Sequence, residues 1–279
     1  MTQTPLISLN DGNYMPQLGL GVWKADDGDE TKAAVMAAIK AGYRLIDTAM
    51  VYQNETGVGQ GIKESGIERS KLFVTTKLWN SDQGAERVRP ALEASLKRLG
   101  LDYVDLYLIH WPTPSRDLYV ETWKSFEKLK EIGLTKSIGV SNFRMEDLER
   151  LKAETGTVPA VNQIELHPYF QQRELRNYAE HNGIRIESWS PIGGSRGNLL
   201  ADDGLRSVAE AHRKTPAQIV IRWHIQNGLI VIPKSVHEER IRENFDVFDF
   251  ELTRDEMSII DDMDTGQRGG PDPATMNNH

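Results

Sequence analysis

Four ionisable residues stand where apolar runs stop. Leu45-Ile46 reads as the end of a short buried strand, with Asp47 directly after it and Tyr52 a little further on. The run 72–76 leads into Lys77, and 104–109, which alternates less cleanly, leads into His110. A tyrosine hydroxyl, with a reference pKa of about 10, exchanges its proton near neutrality only if its anion is stabilised. A lysine ammonium beside the hydroxyl does that, and an aspartate holds the ammonium charged and in place. A neutral histidine nearby can hydrogen-bond a carbonyl oxygen and orient it. Asp47, Tyr52, Lys77 and His110 together suit protonation of a developing alkoxide. Each alone also suits a plainer role. Tyr52 is compatible with loop packing, Asp47 with a helix cap, Lys77 with a solvated strand end and His110 with a core histidine. Their recurrence at the ends of parallel strands, where barrels place their chemistry, favours the joint reading.

A second group follows the buried run 230–232. Pro233-Lys234-Ser235 leads to Arg240 and Asn244 in the next helical segment. Barrels often bind phosphate at the last loops, against a helix N-terminus. Lys234, Ser235 and Arg240 supply two cations and a hydroxyl there; an ordinary basic loop is the alternative. A third group is Ser141-Asn142 and Gln163, whose polar side chains suit a carboxamide or, for Ser141, a helix cap. Trp23, Trp79, Trp111 and Trp189 also fall at strand ends. On one face they would line an apolar pocket with a stacking surface. No complete Rossmann fingerprint is present. Gly57-Val58-Gly59-Gln60-Gly61 is followed by Ile62 and lies within a helical pattern. No clustering of His or carboxylates suggests a metal.

The elements that must position these groups alternate in type. The segments 6–9 and 14–18 flank Asn10-Asp11-Gly12-Asn13, a hairpin signal. Strands are expected at 18–22, 44–47, 72–77, 104–109, 135–140, 160–165, 185–189 and 229–232. Helices are expected at 30–40, 54–64, 85–99, 120–132, 145–154, 173–182, 204–212, 215–227 and 238–244. A last helix at 253–262 opens with Thr253 and Glu256 at capping-box spacing. Eight β/α units in about 250 residues predict a closed (β/α)8 TIM barrel in one domain, 1–279. The polar tail 266–279, rich in Gly, Pro and Asn, is expected to be mobile.

Bulk properties narrow the class. The chain has 279 residues, 39% hydrophobic and 27% charged, as in a globular enzyme. A net charge of -8 argues against a nucleic-acid partner. With no cysteine there is neither a disulfide framework nor a thiolate nucleophile. No basic and apolar leader and no long apolar span is visible, so no membrane association and a cytoplasmic, monomeric protein are expected.

Five ordered motifs carry a resemblance along nearly the whole chain. They are Gly42-Tyr43-Arg44-Leu45-Ile46-Asp47-Thr48-Ala49, Leu108-Ile109-His110-Trp111-Pro112, Gly139-Val140-Ser141-Asn142-Phe143, Asn162-Gln163-Ile164-Glu165-Leu166-His167-Pro168 and Ile232-Pro233-Lys234-Ser235. The chain resembles the aldo-keto reductase family. Thr76-Lys77-Leu78-Trp79-Asn80, His110-Trp111-Pro112-Thr113-Pro114 and 244–250 are similar to the bacterial 2,5-diketo-D-gluconate reductases. The resemblance implies a barrel whose bottom is closed by the N-terminal hairpin, with extra helices near the C-terminus. It implies NADPH or NADP+ as cofactor and a small carbonyl as substrate. Tyr52 would be the general acid, tuned by Lys77 and Asp47, with His110 orienting the substrate. Ser141, Asn142 and Gln163 would hold the nicotinamide carboxamide, and Trp189 would stack on the ring where many members have tyrosine. Lys234, Ser235 and Arg240 would grip the 2′-phosphate, and Glu243 and Asn244 the adenine.

Two rival readings use the same residues. A Schiff-base lyase would use Lys77 as nucleophile but gives the 233–244 segment no role. A regulatory subunit would bind NADPH without turnover.

Overall fold

The chain was analysed as a computed structural model, which describes residues 4–194 and 198–278. The hairpin forms as expected, with β1 (Leu6–Ser8) antiparallel to β2 (Tyr14–Pro16). Strand and helix then alternate: β3 (Gly19–Gly21), α1 (Asp29–Ala41), β4 (Leu45–Asp47), α2 (Glu55–Glu64), β5 (Phe73–Leu78) and α3 (Ala85–Leu99). They continue through β6 (Val104–Ile109), α4 (Tyr119–Glu131), β7 (Thr135–Ser141), α5 (Met145–Thr155), β8 (Val161–Glu165), α6 (Arg173–His181) and β9 (Arg185–Trp189). The chain ends with α7 (Asp203–His212), α8 (Pro216–Gln226), β10 (Ile230–Val231), α9 (Glu238–Phe245) and α10 (Arg254–Asp261).

Strands β3 to β10 lie side by side in chain order, all parallel. The sheet closes where the last strand meets the first. Val231 donates its N–H to the Gln17 carbonyl at 2.9 Å, and Gly21 donates to that of Pro233 at 3.3 Å. This is the (β/α)8 barrel. Among the described residues, no helix is long and apolar enough to cross a membrane.

Barrel strands are buried on both faces, which explains the weak alternation of 104–109. One apolar core fills the space between sheet and helices. A second fills the barrel floor, where Leu45, Phe73, Leu106, Leu108, Val161 and Ile230 meet Leu9 and Met15. Gly139 keeps β7 close to its neighbours, because a Cβ there would stand 2.6 Å from the Val161 carbonyl oxygen and 2.8 Å from Leu108. The hairpin is tied to the N-terminal ends of the strands. Asn10 donates to the Pro159 carbonyl, Asn13 to that of Lys136, and Arg185 to that of Ser8. The bottom is therefore covered and the opposite mouth is left for chemistry. Helix α10 begins with the expected capping box. Thr253 donates its N–H to Glu256 Oε2 at 2.7 Å, and the Thr253 hydroxyl accepts from the Glu256 N–H at 3.3 Å.

The tail crosses that mouth. Gly269 and Gly270 donate their N–H groups to the two carboxylate oxygens of Glu165, at 2.7 and 2.9 Å. Further on, Asn80 donates to the Asn278 carbonyl and Ser115 to the Asn277 side chain. The sequence expectation of a mobile tail covers 266–279; of these residues, Gly269, Gly270, Asn277 and Asn278 make these contacts, and His279 lies outside the described residues.

Candidate active site

Strand parity sets the site. Side chains two apart share a face, so the residues that follow the apolar floor along the strands point into the same barrel. Asp47 follows Leu45, Lys77 follows Phe73, His110 follows Leu108 and Gln163 follows Val161, each at even spacing. The upper layer is polar because the floor beneath it already supplies the apolar core.

The structure brings the four candidates together. Lys77 Nζ lies 2.6 Å from Asp47 Oδ1, 2.9 Å from the Thr48 carbonyl oxygen and 3.4 Å from the Tyr52 hydroxyl. Tyr52 ends a short helical turn, Met50–Tyr52, and its ring centre lies 5.0 Å from Lys77 Nζ. The His110 ring meets Tyr52 edge-on at 5.8 Å and Trp79 at 5.2 Å. Lys77 is fully buried, so its donor positions must be satisfied by protein: Asp47 and the Thr48 carbonyl take two short bonds, and the Tyr52 hydroxyl a longer, weaker one.

Electrostatics follow from burial and one ion pair. Burial disfavours the Lys77 cation, but the charges of Asp47 and Tyr52 and the hydrogen bond to Asp47 outweigh it, so its pKa is raised and it stays charged. Burial raises the Asp47 carboxyl, while Lys77 and the Gln163 hydrogen bond favour the anion. With an ammonium at 2.6 Å, Asp47 is the ionised partner. Burial pushes the Tyr52 hydroxyl above its usual value, and Lys77 pulls it back without cancelling the rise. Burial, with Lys77 nearby, holds His110 well below the usual histidine range, so it is neutral at pH 7. No donor or acceptor among the described residues reaches His110 Nδ1. A Schiff-base nucleophile must be a neutral amine, and this ammonium is pinned as a cation.

The polar residues of β7, β8 and β9 form one network. Ser141 donates its hydroxyl to the Gln163 carbonyl at 2.9 Å. Asn142 has left-handed backbone (φ 63°) and donates to the His110 carbonyl and to Ser141 Oγ, both at 3.0 Å. Trp189 donates its indole N–H to Asn142 Oδ1 at 2.9 Å. Gln163 donates to Asp47 Oδ2 at 2.8 Å and to Glu187 Oε2 at 2.7 Å, while no donor among the described residues reaches its own Oε1. Glu187 escapes sequence reasoning, because it sits in a short strand, Arg185–Trp189, that already mixes polar and apolar residues. Only the β8–β9 register, which pairs Gln163 with Glu187, exposes it.

The phosphate candidates gather apart from this network. Lys234 and Arg240 are exposed, and among the described residues neither pairs with a carboxylate; Lys234 reaches only the Lys24 carbonyl oxygen, at 3.3 Å. Ser235 is buried, and its hydroxyl accepts from the His237 N–H just before α9. Asn244 is buried on α9, while Glu243 accepts from the Thr215 hydroxyl at 2.7 Å. Two uncompensated cations beside a hydroxyl suit a phosphate. Of the pocket candidates, Trp111 is buried, Trp79 half-buried and Trp23 is 51% exposed with the Lys24 ammonium 4.4 Å from its ring. Trp189 lies under the tail. A Cβ on Gly270 would fall 2.4 Å from Trp189 Cη2, so only glycine fits where the tail passes.

Known proteins share this arrangement of strands and helices. A model of the Aldo/keto reductase family matches residues 17–265. Methylglyoxal reductase DkgA of Yersinia pestis is 55% identical over 99% of both chains. Among solved structures, an aldo/keto reductase from Brucella melitensis is 58% identical, with a TM-score of 0.90, over 94% of this chain and 100% of that one. A mutant of Gox0644, solved in complex with NADPH, is 52% identical, with a TM-score of 0.93, over 98% of this chain and 99% of that one. The chain belongs to the aldo/keto reductase family.

Proposed function

We propose that this chain is an NADPH-dependent carbonyl reductase acting on compact, activated carbonyls. Methylglyoxal, 2,5-diketo-D-gluconate and α-keto esters represent the class. The observation that carries this reading is Lys77, which bridges Asp47 and Tyr52 beside a neutral His110. The donor set also suits the cofactor. Gln163 Oε1 is available to a carboxamide N–H, and Lys234, Ser235 and Arg240 to a 2′-phosphate. Trp189 would stack on the nicotinamide, and Glu243 and Asn244 on α9 would hold the adenine. When bound, NADPH supplies the hydride.

The chain supplies the proton. His110, neutral and embedded among aromatic rings, donates a hydrogen bond to the carbonyl oxygen and orients it. Tyr52 donates its proton to that oxygen as negative charge develops, and with His110 forms the oxyanion site. Lys77 stabilises the phenolate left behind, and Asp47 keeps Lys77 charged. Trp79 and Trp111 exclude water from one side, and the tail covers another. We further infer a cytoplasmic monomer.

The substrate class draws support from the relative named methylglyoxal reductase and from a pocket built on indole rings. NADPH oxidation with methylglyoxal, 2,5-diketo-D-gluconate, an α-keto ester and a steroid ketone tests it. Efficient turnover of the dicarbonyls is expected. Efficient steroid turnover with inert dicarbonyls contradicts it.

A further inference from the structure

Gln163 and Glu187 are register partners on β8 and β9, and both side chains are buried. One nitrogen, Gln163 Nε2, serves two carboxyl groups: Asp47 at 2.8 Å and Glu187 at 2.7 Å. An amide NH2 has two hydrogens, so both are committed. Asp47 also has a cation, Lys77, at 2.6 Å. Glu187 has none in contact, and its other oxygen, Oε1, is buried with no partner among the described residues. Were both carboxyls ionised, this part of the barrel would hold two negative charges against one positive. A buried carboxyl without a cation keeps its proton instead. Glu187 is the neutral member of the pair.

We propose that Glu187 is a positioning residue of the reduction centre, holding the Gln163 amide so that its NH2 faces Asp47 and its oxygen is left for the cofactor carboxamide. This rests on Tyr52 as proton donor and Gln163 as carboxamide anchor. Turned over, the amide would set its oxygen against the Asp47 carboxylate, acceptor against acceptor. Loss of the Glu187 proton adds a second negative charge to the centre. The groups that act on it are Asp47 from β4, Lys77 from β5, Gln163 from β8, and Tyr52 at the mouth. The added charge tightens the hold of Lys77 and Tyr52 on their protons, which makes Tyr52 a weaker acid.

These groups titrate in separate ranges. Burial and the Asp47 charge push Glu187 up to about 8. His110 lies well below 6.5, Tyr52 above 10.0 and Lys77 above 10.5. Asp47, with the Lys77 ammonium at 2.6 Å, is the carboxyl that ionises first, so a fall in turnover centred near pH 8 belongs to Glu187.

The test is kcat with saturating NADPH and methylglyoxal from about pH 6 to about pH 10, for wild type, Glu187→Gln and Tyr52→Phe. Wild type should lose activity through pH 8, and in Glu187→Gln that limb should move up by about one unit or more, tenfold in proton concentration. A merely structural role would lower kcat at every pH and leave the limb in place. A wild-type limb retained in Glu187→Gln, or no limb near pH 8 in wild type, overturns the inference. Tyr52→Phe separates the two layers: high turnover there refutes the reading of Tyr52, whereas an inactive Tyr52→Phe beside an unshifted Glu187→Gln refutes only the role of Glu187. Should Glu187→Gln not fold, infrared spectra of wild type decide. A protonated carboxyl band that disappears as pH rises through 8 supports the proposal, and its absence at pH 6 overturns it.

Discussion

The Lys77 ammonium stands 3.4 Å from the Tyr52 hydroxyl and 5.0 Å from the centre of its ring. That distance is long for a hydrogen bond, so Lys77 acts on Tyr52 chiefly through its charge. Its stronger contact is Asp47, at 2.6 Å. The arrangement keeps Tyr52 protonated at rest and stabilises its anion when a proton leaves.

Lys77→Met should damage both fold and turnover. It leaves Asp47 buried without its cation, and breaking a buried pair in this way typically costs about 3–5 kcal/mol. Turnover should fall at least about 10²-fold, since Tyr52 loses the charge that stabilises its anion. Urea unfolding and NADPH oxidation on the same preparation check both. Unchanged stability would mean that Asp47 takes up a proton and needs no partner.

Arg240→Ala should discriminate between cofactors. Arg240 is exposed and pairs with no carboxylate among the described residues, so its removal should leave the fold intact. NADPH affinity should weaken by about tenfold or more, while NADH affinity stays close to wild type. Equal losses for both cofactors would mean that Arg240 does not read the 2′-phosphate.

How much of this was legible in the sequence depends on what each residue's neighbours reveal. Asp47, Lys77 and His110 end apolar runs, and a barrel gathers all strand ends on one face, so their meeting followed from local pattern. The hairpin was legible from its Asp-Gly turn. Strand 229–232 narrows to Ile230–Val231, because Ile232 and Pro233 already belong to the loop that closes the barrel. Glu187 was not legible, because its partner lies on another strand and only the register brings them together. The Glu165 clasp on Gly269 and Gly270 was hidden for a similar reason. Nothing local in a Gly-rich tail shows that a carboxylate far away in the chain receives its backbone N–H groups.

Gly270→Val tests that clasp. Gly270 is not among the left-handed glycines, so the substitution strains packing and not the backbone. The new side chain should push the tail off Trp189 and Glu165. Limited proteolysis of the tail should accelerate, and KM for NADPH should rise about tenfold if Trp189 stacks on the nicotinamide. Wild-type proteolysis and KM would show that the crossing over Trp189 is immaterial.

Stability should peak near pH 6.5. His110 and His224 are buried and neutral, His110 with its pKa well below 6.5 and His224 lowered to about 4. As pH falls below 6.5 the unfolded chain binds protons that the fold does not, so stability drops by up to about 1.4 kcal/mol per unit per histidine. Glu187 acts the other way. Its folded pKa of about 8 exceeds its unfolded value of 4.5, so the fold holds an extra proton between them and stability falls as pH rises, levelling off above 8. Below 6.5 the two histidines outweigh the one carboxyl; from 6.5 up to the alkaline range of the tyrosines and lysines, Glu187 sets the slope. Urea midpoints across pH check the dome, and Glu187→Gln should flatten its alkaline side.

Tyr52→Phe is the most direct test of the account. It removes one oxygen and leaves Ser141, Asn142, Gln163, Lys234 and Arg240 untouched. NADPH affinity, read by fluorescence quenching, should change little. Turnover of methylglyoxal should fall by about 10⁴-fold or more if, as proposed, the hydroxyl is both proton donor and part of the oxyanion site. Near wild-type turnover with normal NADPH binding would contradict Tyr52 as the acid.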